Sequence, residues 1–564
     1  MPERKRTLAR VALLAIAAAA LFGVAGASAV EPGKVAEGYL DHLSQSVQLS
    51  YYAKHPGDAP TRLRPFVGTA NSPSRTTARS SQYCGANANK DVFNCDFVGL
   101  PQNEESVGSC PTNDTFVLGS TNDYDGLVFS GNITGWYWST DGGHSVRNTG
   151  FLPPVTLPTL NREVPSGGDP VTFIPGGCDS LYAASLAYTE PPFGPNGIAV
   201  YKTTPANLNS CAGFDDPTCW PVKRVLAESD GNVFNDKEWM FVGTQNGVRY
   251  VWVTWSEFTN DESAPLGYSS ARIMAVRCDE NLVTCTPPIP ISTVDQDVQF
   301  SDVTVGPDGR AYVTWARIDG ELPGANGQPG QPQTFTIKER TETAPGSAVF
   351  GPEHVVYVET NAIPFGGFLH ANDFRVATYP KNDVTMVNGA PRIFVIWDAC
   401  KTRFLDTSCQ EPLIKLSYSL DPDGNTWSAP IELSNGGDNY FPTISADRTY
   451  TSNNLAAAWY SNYYDVGFHN AQDVQAISIN PDTGRPQGLK RLTGPQSNES
   501  EADPLLGGFF IGDYIEGVLI RNRYYVHYNG NWRQMQILGI IGPPFSEAPP
   551  MNQQDNYLAI TGLN

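Results

Sequence analysis

An all-β fold, a β-propeller of four-stranded blades, is what the sequence predicts, and three observations carry the prediction. Charged residues make up only 17% of the chain, whereas Gly (53), Pro (45) and aromatics (11%) are plentiful. That mixture suits short strands and tight turns better than long helices. The second observation is a single stretch, Phe300 to Arg317, that reads as two strands around a turn. Val303 and Val305 alternate with polar residues, Pro307-Asp308-Gly309 reverses the chain, and Tyr312 to Trp315 are strong strand formers. The third is that this hairpin recurs. One hairpin is barely stable alone, and the repeats supply the neighbours it needs.

The recurrences begin near Glu105, Asp169, Asp236, Asp302, Asp373, Tyr440 and Asp513, at intervals of 64 to 73 residues. The third pairs Asp236 to Met240 with Arg249 to Trp255, and Ala271 to Arg277 supplies a further strand. The fifth pairs Asp373 to Val376 with Arg392 to Trp397. Seven units of even length, each with room for four strands, make a propeller. A pair of β-sandwiches does not explain equal units, and the coils of a β-helix are much shorter. Seven blades are expected, with six as the alternative.

The ends read differently. Arg4, Lys5, Arg6 and Arg10 precede an apolar run, Val11 to Val24, and a small-residue Ala27-Ser28-Ala29 site. Residues 1–29 therefore read as a secretory signal, which predicts an extracellular or periplasmic protein with no membrane span after cleavage. Residues 30–100 carry no repeat and read as an N-terminal arm packed on or beside a propeller of residues 101–541. Residues 542–564 form a Pro-rich tail in which Tyr557 to Thr561 offers a closing strand. The net charge of −21 argues against nucleic acid as a partner. Nothing in the composition calls for self-association, and a monomer is expected.

Ten cysteines fit an oxidising compartment. Cys211 with Cys219, Cys278 with Cys285, and Cys400 with Cys409 are close in sequence without zinc-site spacing, so they read as disulfides. Cys110 and Cys178 each follow the first strand of neighbouring units, which suggests a bridge between blades and leaves Cys84 with Cys95.

Two turns carry a family signal. Ser139-Thr-Asp141-Gly-Gly143 lies in the first unit and Ser419-Leu-Asp421-Pro-Asp-Gly424-Asn-Thr-Trp427 in the fifth. Asp satisfies turn amides, Gly supplies positive φ, and Trp packs between sheets. These turns resemble the Asp-box, or BNR repeat, of sialidase-like propellers, over roughly residues 100–540. The resemblance implies a ligand site on the opposite face. It does not extend to a true sialidase: the family's Arg-Ile-Pro signature is absent, and its closest string is Phe374-Arg375-Val376-Ala377.

On that opposite face lie the starts of first strands and the ends of second strands. Starts bring Glu105, Asp169, Asp236, Asp302, Asp373 and Asp513 to the channel mouth; ends bring Asp123, Glu190, Glu257, Arg317, Asp398, Tyr460 and His527. An acid and base for glycoside cleavage would come from Asp236, Glu257, Asp398 and Asp465. Asp302, Arg317, Asp373, Arg375, Tyr460, Tyr464 and Asp513 are the expected ligand contacts. An Asp at a strand start also has a plainer use, capping loop amides. The expected partner is an extracellular glycan or envelope polymer, bound with or without cleavage; the alternative is a non-enzymatic binding module. No cofactor is required, a structural Ca²⁺ in the channel is conceivable, and its ligands are unassigned.

Overall fold

The computed structural model describes residues 37–59, 93–94, 100–126, 130–264, 266–319, 333–363, 367–369, 372, 374–403, 409–467, 469, 471–493, 498–499, 510–535 and 551–563. The expected leader, Asp373 and the expected Cys84–Cys95 pair lie outside them. The fold is a seven-bladed propeller of antiparallel sheets. The innermost strands of blades 1 to 7 are Gln102–Ser109, Val171–Phe173, Val233–Gln245, Val298–Val305, Lys381–Val387, Asn439–Ala446 and Glu516–Ile520. Each packs on the next in cyclic order, and blade 7 returns to blade 1.

Local chemistry sets the register. Asn246-Gly247 and Asn388-Gly389 occupy two-residue turns with φ of 51° and 78°, and 52° and 81°, which join Gln245 to Val248 and Val387 to Ala390. Asn-Gly is the pair that tolerates two left-handed residues in succession. In blade 5 this turn draws the inner strand to Lys381–Val387. The expected strand at Asp373 to Val376 is thereby corrected: Arg375–Val376 pairs instead with Gly367–Phe368 in a small ribbon ahead of the blade.

The sheets are held by tryptophan. Trp255, Trp315, Trp397 and Trp459 lie on the second strands of blades 3 to 6 and are fully buried. Three of them satisfy their indole N–H, Trp255 on Asn235 at 2.8 Å, Trp397 on Glu359 at 3.1 Å and Trp459 on Asn439 at 3.1 Å. Such a side chain combines large apolar area with one donor that needs a partner when buried.

Blade 7 is assembled from both ends of the chain. Its described strands are Glu516–Ile520, Arg523–Met535 and Met551–Gly562, and the Phe93 N–H bonds the Asn556 carbonyl at 2.9 Å. The turns between third and fourth strands lie away from the channel mouth. In one, Asp141 accepts from the Ser139 and Ser145 hydroxyls at 2.8 and 2.6 Å. In the other, Asp421 accepts from the Asn425 and Thr426 amides at 3.0 and 2.8 Å, and the Trp427 indole bonds the Gly424 carbonyl.

Disulfides join Cys110 to Cys178, Cys211 to Cys219, Cys278 to Cys285 and Cys400 to Cys409. The first ties blade 1 to blade 2 across 68 residues, the second closes a loop of 8. Loop-closure entropy then predicts that replacing the Cys110–Cys178 pair by serine costs about 2 kcal/mol more stability than replacing Cys211–Cys219. Chemical denaturation of the two double variants measures the difference.

Candidate functional site at the channel mouth

The inner strands reach the channel mouth through a repeated distortion. Glu104, Asp169, Lys237, Phe300 and Phe441 all have φ between 51° and 62°, and Gly512 holds the corresponding place in blade 7 with φ of 102°. In blades 1, 3, 4 and 6 the ladder slips at this point, as a bulge. Non-glycine residues avoid this region, and their retention marks positions where the side chain matters.

Several of these side chains meet. Asp513 accepts two bonds from Arg375, at 3.0 Å from Nε and a shorter one from Nη2, and lies 3.1 Å from Lys237 Nζ. Glu104 accepts from Asn122, and the Asp169 carboxyl is near enough to act on its charge. Lys237 Nζ also lies 6.0 Å from the Phe300 ring centre. All of these groups are buried. Burial pushes Glu104 well above the usual carboxylate range, and the Asp169 and Asp513 charges add to it. Burial, with Asp236 nearby, raises Asp169 to about 7. Burial opposes ionisation of Asp513 too, but Arg375 and Lys237 outweigh it and hold its carboxyl low. The mouth therefore presents an acid, Glu104, beside two cations bridged by one shared carboxylate.

Asp236 completes the group. Its Oδ2 accepts the Ser44 N–H at 3.0 Å, and its Oδ1 is buried without a hydrogen-bond partner. Ser44 belongs to a helical hairpin, α1 (Glu37–His42) and α2 (Gln45–Lys54), that covers the mouth. Deeper in the channel a cavity of about 20 Å³, room for one water, is lined by Trp239, Asp302, Lys381, Arg448 and Glu516.

No family model matches the chain, and no curated protein matches it. Among solved structures it is similar to an α-L-arabinofuranosidase from Fusarium graminearum, at TM-score 0.38 and 10% identity over 83% of this chain and 98% of that one. A protein of unknown function from Dyadobacter fermentans gives TM-score 0.42 and 8% identity over 85% and 99%. An exo-1,5-α-L-arabinanase from a bovine ruminal metagenomic library gives 0.30 and 10% over 61% and 99%. Likeness at this level fixes no chemistry, which has to come from the residues.

Of the residues expected at the site, Asp236, Arg375 and Asp513 come together there. The others are engaged elsewhere. Glu257 pairs with Arg272 at 2.5 Å. Asp398 accepts the backbone amides of Tyr379 and Phe441, both at 3.2 Å, and Asp465 accepts that of Ala471 at 3.1 Å. Asp302 accepts the Asn382 amide at 2.5 Å. Arg317 pairs with Asp319 at 2.8 Å, Tyr464 lies under Arg491, and the Tyr460 hydroxyl meets Asn529. Glu104 and Lys237 carry no signal of their own in the sequence, because regular alternation would turn each away from the face of its neighbour; the bulge brings Lys237 to the same cluster as Asp236. Among the described residues, the one group with metal-ligand spacing is Cys211, Asp216 and Cys219, and its sulfurs form a disulfide.

Two predictions follow from the buried charges. Burial raises Asp169, Asp398 and Glu516 to about 7 and Asp302 to about 6. Folded values above the unfolded ones mean stability that is full below pH 4 and lost as pH rises through 6 to 7. His527, lowered to about 4 by burial, opposes this only between pH 4 and 6.5. Calorimetry should therefore show Tm falling from pH 5 to pH 7.5. Asp513→Asn leaves two buried cations without their shared anion and should cost about 3–5 kcal/mol, read by denaturant titration.

Proposed function

We propose that this chain is an exported glycan-active propeller whose ligand binds at the channel mouth, on the face opposite the Asp141 and Asp421 turns. The observation that carries the reading is the convergence of Glu104, Asp169 and Asp236 with Arg375 and Lys237, with Glu104, Asp169 and Lys237 held in left-handed backbone. Carboxyls with separated proton affinities are what glycoside chemistry uses. Glu104, kept protonated by burial, is the candidate acid to donate to a leaving oxygen. Asp236 is the candidate base, and Arg375, fixed by Asp513, the candidate group that orients a ligand hydroxyl. The reading requires no cofactor. The carboxylates of Asp302 and Glu516, deeper in the channel, face Lys381 and Arg448, an arrangement that does not favour Ca²⁺. The leader expected at residues 1–29 and the disulfides support export.

A second reading, a non-enzymatic module for a protein or envelope polymer, is favoured by a specific observation. Asp302, Asp398 and Asp465 are taken up by backbone amides, whereas hydrolytic carboxyls stand free about 5 to 9 Å apart across the scissile bond.

The full chain screened on a glycan array and on a hydrolysis panel of soluble polysaccharides separates the two. Hydrolysis lost about 1,000-fold in Asp236→Asn, with Asp141→Ala on the opposite face unaffected, supports the enzyme. Binding without turnover supports the module. Binding unchanged in Asp169→Asn and Asp236→Asn together removes this site from either role.

A further inference from the structure

The helical hairpin over the mouth touches the cluster with neutral polar atoms from one short turn. The Leu43 carbonyl accepts from Arg375 Nη1 at 3.0 Å, the Ser44 N–H donates to Asp236 at 3.0 Å, and the Ser46 hydroxyl donates to Asp169 at 3.4 Å. The two serine hydroxyls lie 3.1 Å apart. One acceptor on a guanidinium and two donors on carboxylates is the pattern that neighbouring hydroxyls of a sugar present. We infer that this hairpin is an intramolecular stand-in for a neutral polyhydroxylated ligand, and that such a ligand binds by displacing it.

Neutrality of the ligand follows from charge. Asp513 bridges Arg375 and Lys237, and Asp236 and Asp169 face the same lysine, so the two cations are already met by three carboxyls and a sialate or uronate carboxylate would face Asp169 and Asp236. A neutral sugar can replace the hairpin's hydrogen bonds without adding a buried charge.

The hairpin is also built to leave. Its helices span six and ten residues, far below the length at which a helix persists alone. They are held by tertiary contacts: Tyr39 against Phe193, Phe258 and Tyr268 with its hydroxyl on Asn260, His42 beside Asp297 at 3.3 Å, and Ser50 on Tyr188. Once detached, it would lose its order rather than compete as a rigid body. Beside it runs an open groove of about 460 Å³, lined by Leu266, Tyr268, Val294, Asp295 and Gln296. Tyr268 belongs to both the groove and the anchor, so a longer glycan lying in the groove would work directly on the contact that holds Tyr39. Because the hairpin is covalently attached, its high local concentration weakens ligand binding without abolishing it.

This inference rests on the glycan reading, and the test keeps the two apart. Two full-length variants loosen the hairpin differently: Ser46→Asp sets a third carboxylate beside Asp169 and Asp236, and Tyr39→Ala removes the rim anchor. Hydrogen exchange of residues 37–54, carbodiimide labelling of Asp236 and Tm are read first, without ligand. Fast exchange and labelling in a propeller that still melts cooperatively is expected. A collapse of cooperative melting in both variants, or exchange unchanged in both, overturns the inference by making the hairpin part of the core. Neutral xylan, mannan, arabinan and β-glucan oligosaccharides are then compared with oligogalacturonate and sialyllactose. A neutral member should bind about tenfold tighter to either variant, and at saturation should speed exchange of residues 37–54 in the natural sequence. Equal affinity in open and closed proteins, or preference for an anionic member, overturns the inference. Opening and labelling as expected with no sugar bound refutes the glycan reading and with it the sugar-mimic role, leaving only a detachable cover.

Discussion

Seven inner strands end on a shared channel, and their outward-facing amides have no next strand to pair with. An unpaired buried N–H is costly, so each blade has to supply acceptors to its neighbour. The Ser106 hydroxyl takes the Thr172 amide at 2.8 Å, Asp302 that of Asn382, Asp383 that of Ala446 at 2.7 Å, and Thr443 and Ser445 those of Gly517 and Leu519. Glu516 takes the Val107 amide at 3.0 Å, which carries the same device from blade 7 to blade 1. The channel is polar because of this requirement, before any ligand is considered. It also explains why acidic residues recur at the repeat period without all of them being site residues.

The requirement has an electrostatic consequence. Carboxyls placed to accept amides end up in a dry interior, and burial lifts Asp302, Asp398 and Glu516 towards neutrality. Cations enter to offset the rest: Arg448 stands 2.9 Å from Asp383, and Lys381, lowered to about 7 by burial, lies over the rings of Trp239 and Tyr379. The mouth differs from this lining in one respect. Glu104, Asp169 and Lys237 sit on left-handed bulges that turn them away from the amide-capping register, and strain of about 1–3 kcal/mol at each such residue has no structural return in the ladder.

The architecture was legible because its determinants are local. Hairpins such as Val303–Trp315, with a turn residue set and alternating strands, repeat at a near-constant interval, and a Trp on the second strand marks the sheet interface. The blade 5 strand was misplaced where a polar run, Lys381-Asn-Asp, hid an inner strand whose polar side chains cap a neighbouring blade. At the site, Asp236 and Asp513 were visible as acids at the right end of the repeat. Lys237 was not, because a bulge lets two adjacent side chains reach one cluster and leaves no mark in composition. The hairpin over the mouth was read only as part of an arm. Six- and ten-residue helices carry too few turns for a periodic signal, and their order comes from contacts more than a hundred residues away.

Those contacts bear on which of the two functional readings the molecule favours. A structural plug over a polar channel would seal it with apolar side chains, since nothing then has to be exchanged. Here the apolar residues of the hairpin, Tyr39, Leu43 and Val47 among them, are buried against the propeller core, whereas its centre offers a carbonyl, an amide and a hydroxyl to Arg375, Asp236 and Asp169. Even so, Asp236 Oδ1 and the Glu104 Oε1 atom keep no hydrogen-bond acceptor or donor of their own from the hairpin. The cover thus satisfies the mouth incompletely. A ligand with more hydroxyls in the same space would satisfy it better, and that difference is the free energy available to open the site.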